Sequence, residues 1–92
     1  MASRYFKRRW DEFRGDEHAH WGASTWLFEV AEDGYPVRQI EIYDDGPTLR
    51  YGSSHNEDEH GFLSNAKLVD TGDWTPWEIA QEEFDLTWTS TG

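Results

Sequence analysis

At 92 residues the chain has the size of one small domain and too little sequence for a second core. It carries 8 Lys and Arg against 19 Asp and Glu, a formal net charge of -11, and such a field repels nucleic acids and anionic membrane surfaces while attracting basic partners. The absence of cysteine excludes disulfides, thiolate zinc sites and nucleophilic thiols, and no stretch approaches the ~20 apolar residues of a membrane span.

The charge is unevenly laid out. Arg4, Lys7, Arg8, Arg9 and Arg14 crowd the first fourteen residues, and only Arg38, Arg50 and Lys67 follow as cations. Ser3–Trp10 is basic, but no apolar run of signal-peptide length follows it, so a cytoplasmic location is expected. Six Trp, five Phe and four Tyr point to a core built largely from aromatic rings.

In chain order, Tyr5–Trp10 alternates as a first strand, with Phe6 and Trp10 on one face and Arg8 interrupting that face. Residues 11–22 are polar, with Gly15 and Gly22, and read as a loop. Thr25–Val30 is a second strand with Trp26, Phe28 and Val30 facing one way. The turn Glu32-Asp33-Gly34-Tyr35-Pro36 leads into Val37–Tyr43, which sets Ile40 and Ile42 against Val37, Gln39, Glu41 and Tyr43. Asp44-Asp45-Gly46-Pro47 forms a second turn, and Thr48–Tyr51 returns as a fourth strand, completing a meander. Gly52–Gly61 has no hydrophobic residue between its glycines and is expected to be a mobile exposed loop. Phe62-Leu63 and Ala66–Val69 offer one short further strand. Thr75-Pro76-Trp77-Glu78 has capping-box spacing, and Trp77, Ala80, Phe84 and Trp88 recur as a helical stripe. The expected fold is α+β: a curved antiparallel sheet of four to five strands packed against one C-terminal helix, residues 1–92 forming a single domain.

Three segments, Tyr5-Phe6-Lys7-Arg8-Arg9-Trp10, Val37–Gly46 and Glu78–Trp88, together with Trp26-Leu27-Phe28-Glu29, give the chain a resemblance to a family of small bacterial domains of unknown function. The resemblance implies an antiparallel sheet with a C-terminal helix and brings no catalytic residue with it. Two positions depart from the family pattern: Arg8 replaces an apolar residue, and Ala80 replaces a Ser or Thr that looks like a helix cap. On the family pattern a short strand ends at Ile79 and the helix starts near Ala80 rather than at Thr75. Some such proteins lie beside toxin or defence genes, which implies an immunity-like or inhibitor-like role.

The acidic C-terminal surface, Asp70, Asp73, Glu78, Glu82, Glu83 and Asp85, is the leading functional cluster, because fixed carboxylates can steer and seat a basic groove. Its ordinary alternative is a solvated helix face with acids near the N-terminus. The expected function is a small acidic binding module or inhibitor that engages a basic protein, such as a toxin, nuclease or defence factor. Contact would run through Glu78, Glu82, Glu83 and Asp85, with Glu57, Asp58 and Glu59 as a second site. The alternative is a small-molecule sensor with an aromatic pocket between sheet and helix, walled by Trp26, Tyr43 and Trp88.

His18 and His20, and His55 and His60, fall in expected loops and read as surface histidines, so no metal or other cofactor is expected. Adjacent acids such as Asp44-Asp45 or Glu82-Glu83 point in different directions, unlike a convergent acid/base pair. Ser53 and Ser54 beside His55 are too local for a triad. With no phosphate loop, nucleophile elbow or dinucleotide fingerprint, no enzyme activity is expected. The basic first strand with Tyr5, Phe6 and Trp10 resembles a single-strand nucleic-acid platform, but the overall field opposes that use. Trp21 or Trp74, if exposed, would mark an interface. Oligomeric state is left open.

Overall fold

A computed structural model describes residues 3–11, 13–52, 55–64, 66–68 and 72–90. Strands β1 (Arg4–Trp10), β2 (Ser24–Val30), β3 (Pro36–Tyr43) and β4 (Thr48–Tyr51) match the meander expected from alternation, each within a residue of its expected start. β5 (Glu57–Asp58) and β6 (Gly61–Phe62) pair as a separate small hairpin. The two-residue β7 (Glu78–Ile79) precedes helix α1 (Gln81–Ser90). The main sheet is antiparallel with the order β4-β3-β2-β1-β7.

Strand register decides which side chains share a face. Lys7, Leu27, Ile40 and Arg50 form one row across the sheet. On this face Tyr5, Leu27 and Ile40 pack against the fully buried Phe84, with Ile42, Ile79 and Trp88 around them. α1 covers it because Phe84 and Trp88, four residues apart, lie on one side of the helix and stack at 6.1 Å. Phe6-Phe28-Gln39-Tyr51 and Arg8-Trp26-Glu41-Leu49 are rows of the opposite face. Among the described residues no α-helix covers that side. The β1–β2 connection and the segment between β4 and β7 fold over it, contributing Trp21, Leu63, Leu68 and Trp74 to two further clusters.

Several local expectations change. Thr75–Trp77 is a single 3-10 turn rather than the first turn of the helix. The carbonyl of Ala80 accepts the first helical bonds, from the amides of Glu83 (3.2 Å) and Phe84 (3.4 Å), so the helix starts near Ala80 rather than at Thr75. Trp77 and Ala80 therefore do not extend the helical stripe; β7 pairing with Tyr5 and Phe6 takes precedence over the capping-box spacing. Overlapping the expected mobile loop, residues 57–62 form a short hairpin, in which Asp58 Oδ1 accepts from the amides of His60 (2.8 Å) and Gly61 (3.2 Å). The strand expected over Ala66–Val69 does not form at residues 66–68, and Val69, Asp70, Ser53 and Ser54 lie outside the described residues.

Candidate functional site

The rows that face away from α1 form the floor of a cleft of about 600 Å³, within the usual range for small-molecule sites. Over β1 and β2 its lining is apolar: Trp10, Trp26 and Phe28, joined by Leu68 and Trp74 from the covering segment. Over β3 it turns polar, with Gln39, Glu41 and Tyr43, and Arg14, Asp16 and His60 complete that half. Period-two alternation in β2 and β3 produces this division, since Trp26 and Glu41 are register partners.

The aromatic half is held in place by ring packing. Trp74 stands edge-on to Phe28 at 5.5 Å and to Phe6 at 6.4 Å. Trp26 lies 6.0 Å from Phe28 and donates its indole N–H to the buried Ser24 hydroxyl at 2.7 Å. Behind these walls the guanidinium of Arg8 sits 5.3 Å from Trp10, 5.2 Å from Trp74 and 5.3 Å from Trp77. This explains how an arginine occupies an otherwise apolar strand face: three indoles take up its side chain.

The polar half centres on Glu41, which is only 4% exposed. Tyr43 donates its hydroxyl proton to Glu41 Oε1 at 2.7 Å, and Gln39 Nε2 donates to Oε2 at 2.8 Å. Gln39 is itself fixed: its Oε1 accepts from the Ser64 amide at 2.9 Å, and its Nε2 also reaches the Phe62 carbonyl at 3.2 Å. Among the described residues no cation forms an ion pair with Glu41. Burial pushes its carboxyl above the ordinary value, outweighing the two donated bonds and the more distant charge of Arg14. The same burial, reinforced by the bond to Glu41, pushes the Tyr43 phenol up to about 12.

Arg14 ties the covering segments to the sheet. It donates to Asp16 Oδ2 at 2.7 Å, to the Tyr43 hydroxyl at 3.3 Å and to the His60 carbonyl at 2.8 Å, and its guanidinium lies 5.3 Å from the Trp21 ring. The Asp16 carboxyl is held down to about 2 by its bonds from Arg14 and from the His18 amide. Around Trp21 the fold gathers three histidines that sequence spacing left apart: His18 stacks on Trp21 at 4.2 Å, and His60 approaches His18 to 5.1 Å. His20 lies 6.4 Å from His18. Among the described residues no set of three His, Asp or Glu side chains has the geometry to hold a metal ion.

The structure redistributes the residues singled out from sequence. Trp26 and Tyr43 do line the cleft, but it lies on the face opposite α1 rather than between sheet and helix. Trp88 packs in the other core, since helical spacing fixes it beside Phe84. Trp21 and Trp74 are buried and serve as packing and wall.

Much of the acidic surface is engaged within the chain. Glu78 pairs with Arg4 at 2.9 Å, Glu83 with Lys7 at 3.1 Å and Asp85 with Arg38 at 2.9 Å. Asp58 accepts from Tyr51 at 3.0 Å besides the hairpin amides, and Glu59 approaches His60 at 3.5 Å. Glu57 and Glu82 are exposed, and among the described residues neither forms an ion pair.

Sequence reasoning missed the role of Glu41, Gln39 and Arg14. The available signal was the strand alternation placing Gln39, Glu41 and Tyr43 on one face while Trp26 and Phe28 recurred on the neighbouring strand. No helix of the described residues is long and apolar enough to cross a membrane. No family model, curated protein or solved structure matches the chain.

Proposed function

We propose that this chain is a small-molecule-binding domain whose ligand occupies the cleft over β1, β2 and β3. The observation that carries this reading is the conjunction of an aromatic half built from Trp10, Trp26, Phe28 and Trp74 with a polar half built on the buried Glu41. The aromatics line an open cleft, and a carboxylate whose burial costs free energy is retained beside them. The Trp26–Ser24 bond and the Glu41–Tyr43–Gln39 bonds set both halves before any ligand arrives, which lowers the ordering cost of binding. On this reading Glu41, held by Tyr43 and Gln39, takes the polar head of the ligand, and the domain is a binder or sensor.

The test is a fragment library screened by NMR, reading the indole N–H resonances. Hits that move Trp26 and Trp74 and are lost in Trp26→Ala support the reading. Hits confined to other surfaces, or none, would sink it.

A second reading is favoured by the net charge of -11 and by Glu57 and Glu82, exposed and without an ion pair among the described residues: a basic protein partner seated on the acidic surface. It agrees with the immunity-like or inhibitor-like role implied by the resemblance to the small bacterial domains. Because Glu78, Glu83 and Asp85 already face internal cations, this reading rests chiefly on Glu57, Glu59 and Glu82. Partner capture that depends on those three residues would favour it.

A further inference from the structure

We infer that the ligand of the cleft is a small aromatic amine whose ammonium group pairs with Glu41 while its ring lies against Trp26, Phe28 and Trp74. The inference rests on the small-molecule reading and specifies the charge of the ligand.

Three observations support it. The first is the balance of charge around the cleft. Arg14 and Asp16 both line it and form a close ion pair, so that of the two acids in the lining Glu41 is the one without an ion-pair partner among the described residues, the charge of Arg14 reaching it only from farther off. Arg8, the other nearby cation, is held behind the walls by Trp10, Trp74 and Trp77 and does not line the cleft. A neutral ligand would leave a buried carboxylate without a counter-charge, and an anionic one would add repulsion.

The second is unused bonding capacity. A carboxylate offers about four acceptor positions, and Tyr43 and Gln39 occupy one on each oxygen. An ammonium group carries three donors and no acceptor, so it complements the remaining positions without competing for either existing donor. Both donors act on Glu41 from fixed positions, so the carboxylate keeps its orientation as the ligand arrives.

The third is the chemistry of the walls. Aromatic faces attract cations, and this chain already uses them so, with Arg8 against Trp10 and Trp74 and Arg14 5.8 Å from the Tyr43 ring. A compact ammonium near Glu41 meets a negative group and a π-rich surround together. The acidic body raises the local concentration of such a cation before it enters.

The test uses three probes of one shape, 2-phenylethylammonium, 2-phenylethanol and 3-phenylpropionate, titrated into the intact chain by heteronuclear NMR with the Trp26 and Trp74 indoles as readout. The expected result is that the ammonium binds at least about tenfold more tightly than the alcohol. The carboxylate is expected to bind weakest, and in Glu41→Gln the preference for the ammonium should fall below about threefold. Equal binding of ammonium and alcohol, or preference for the carboxylate, overturns the charge inference while leaving the small-molecule reading intact. If none of the three moves the Trp26 or Trp74 resonances, the aromatic-amine inference fails, and the fragment screen decides the small-molecule reading separately. The ranking of probes on the wild-type chain needs no variant, so unfolding of Glu41→Gln would not remove the test.

Discussion

Gly46 and Trp21 approach so closely that a Cβ added to Gly46 would stand 2.4 Å from Trp21 Cγ and 2.7 Å from its Cβ. Glycine is required there by contact, because the indole is held by His18, Tyr43, His60 and Arg14 and has no room to retreat. The turn between β3 and β4 thus braces the segment carrying Arg14 over the cleft, and the Asp45 amide also donates to the Trp21 carbonyl at 2.8 Å. Gly46→Ala is expected to cost about 1–3 kcal/mol by overpacking and to shift the Trp21 indole resonance. Denaturant unfolding and one NMR spectrum decide it; wild-type values in both would show that the indole yields freely.

On the opposite face Arg38 donates to Asp85 at 2.9 Å, pairs with Glu29, and lies 4.8 Å from the Phe84 ring and 5.1 Å from that of Trp88. Asp85→Lys would place a cation against this clamp, whereas Glu82→Lys disturbs no ion pair seen among the described residues. Asp85→Lys is expected to lower stability by roughly 1–3 kcal/mol and Glu82→Lys by less than ~0.5 kcal/mol. Thermal melts of the two single variants separate a structural acid from a free one. Equal losses would contradict the clamp.

The strands were legible in the sequence because alternation in β1, β2 and β3 is carried by large side chains on both faces. Ile40 and Ile42 fall on one side of β3, and Gln39, Glu41 and Tyr43 on the other. What could not be read was the covering of the second face. That covering is made by Trp21, Leu68 and Trp74 from irregular segments, whose placement depends on contacts distant in sequence and has no period to betray it. The burial of Glu41 was not legible for the same reason. The ion pairs of the C-terminal acids were hidden as well, since only the sheet brings Arg4, Lys7 and Arg38 beside Glu78, Glu83 and Asp85.

Ala80 occupies the N-cap of α1 without a side-chain oxygen to offer. It is exposed, so a hydroxyl there meets no packing obstacle. Ala80→Ser should stabilise the domain by about 1 kcal/mol, equivalent to a rise of roughly 4–8 °C in Tm for a domain of this size. Scanning calorimetry tests this, and an unchanged or lower Tm would place the cap elsewhere.

Arg8 faces three indoles, of which Trp10 and Trp77 are 38% and 39% exposed. Partial solvation limits each cation–π contact to about 0.5–1 kcal/mol. A double-mutant cycle between Arg8→Met and Trp77→Leu should return a coupling of that size, because methionine retains apolar contact and loses only the charge. Arg8→Met is also expected to loosen the Trp74 wall, seen as line broadening of its indole resonance. Zero coupling would mean that Arg8 serves only through its aliphatic stem.

Glu41 gives the domain a stability that depends on pH in an uncommon direction for a carboxylate. Burial raises its folded-state pKa above the ordinary 4.5, so over that range the native state binds more protons than the unfolded chain. Its contribution is therefore most favourable below 4.5 and is lost as pH rises through the raised value. Glu41→Gln removes the titration. One of the donors at Tyr43 and Gln39 loses its acceptor in that variant, but this penalty is independent of pH and shifts the whole curve. The difference in unfolding free energy, wild type minus Glu41→Gln, should fall as pH rises from below 4.5 through the raised value and then level off. Its total change measures the elevation at ~1.4 kcal/mol per pH unit. Asp58, Arg14 and His60 are present in both proteins, so to first order their contributions cancel in the difference. Matched denaturant titrations across this range provide the measurement. A flat difference would show that Glu41 titrates alike in the folded and unfolded states, and a rising one would reveal a cation bound to its carboxylate.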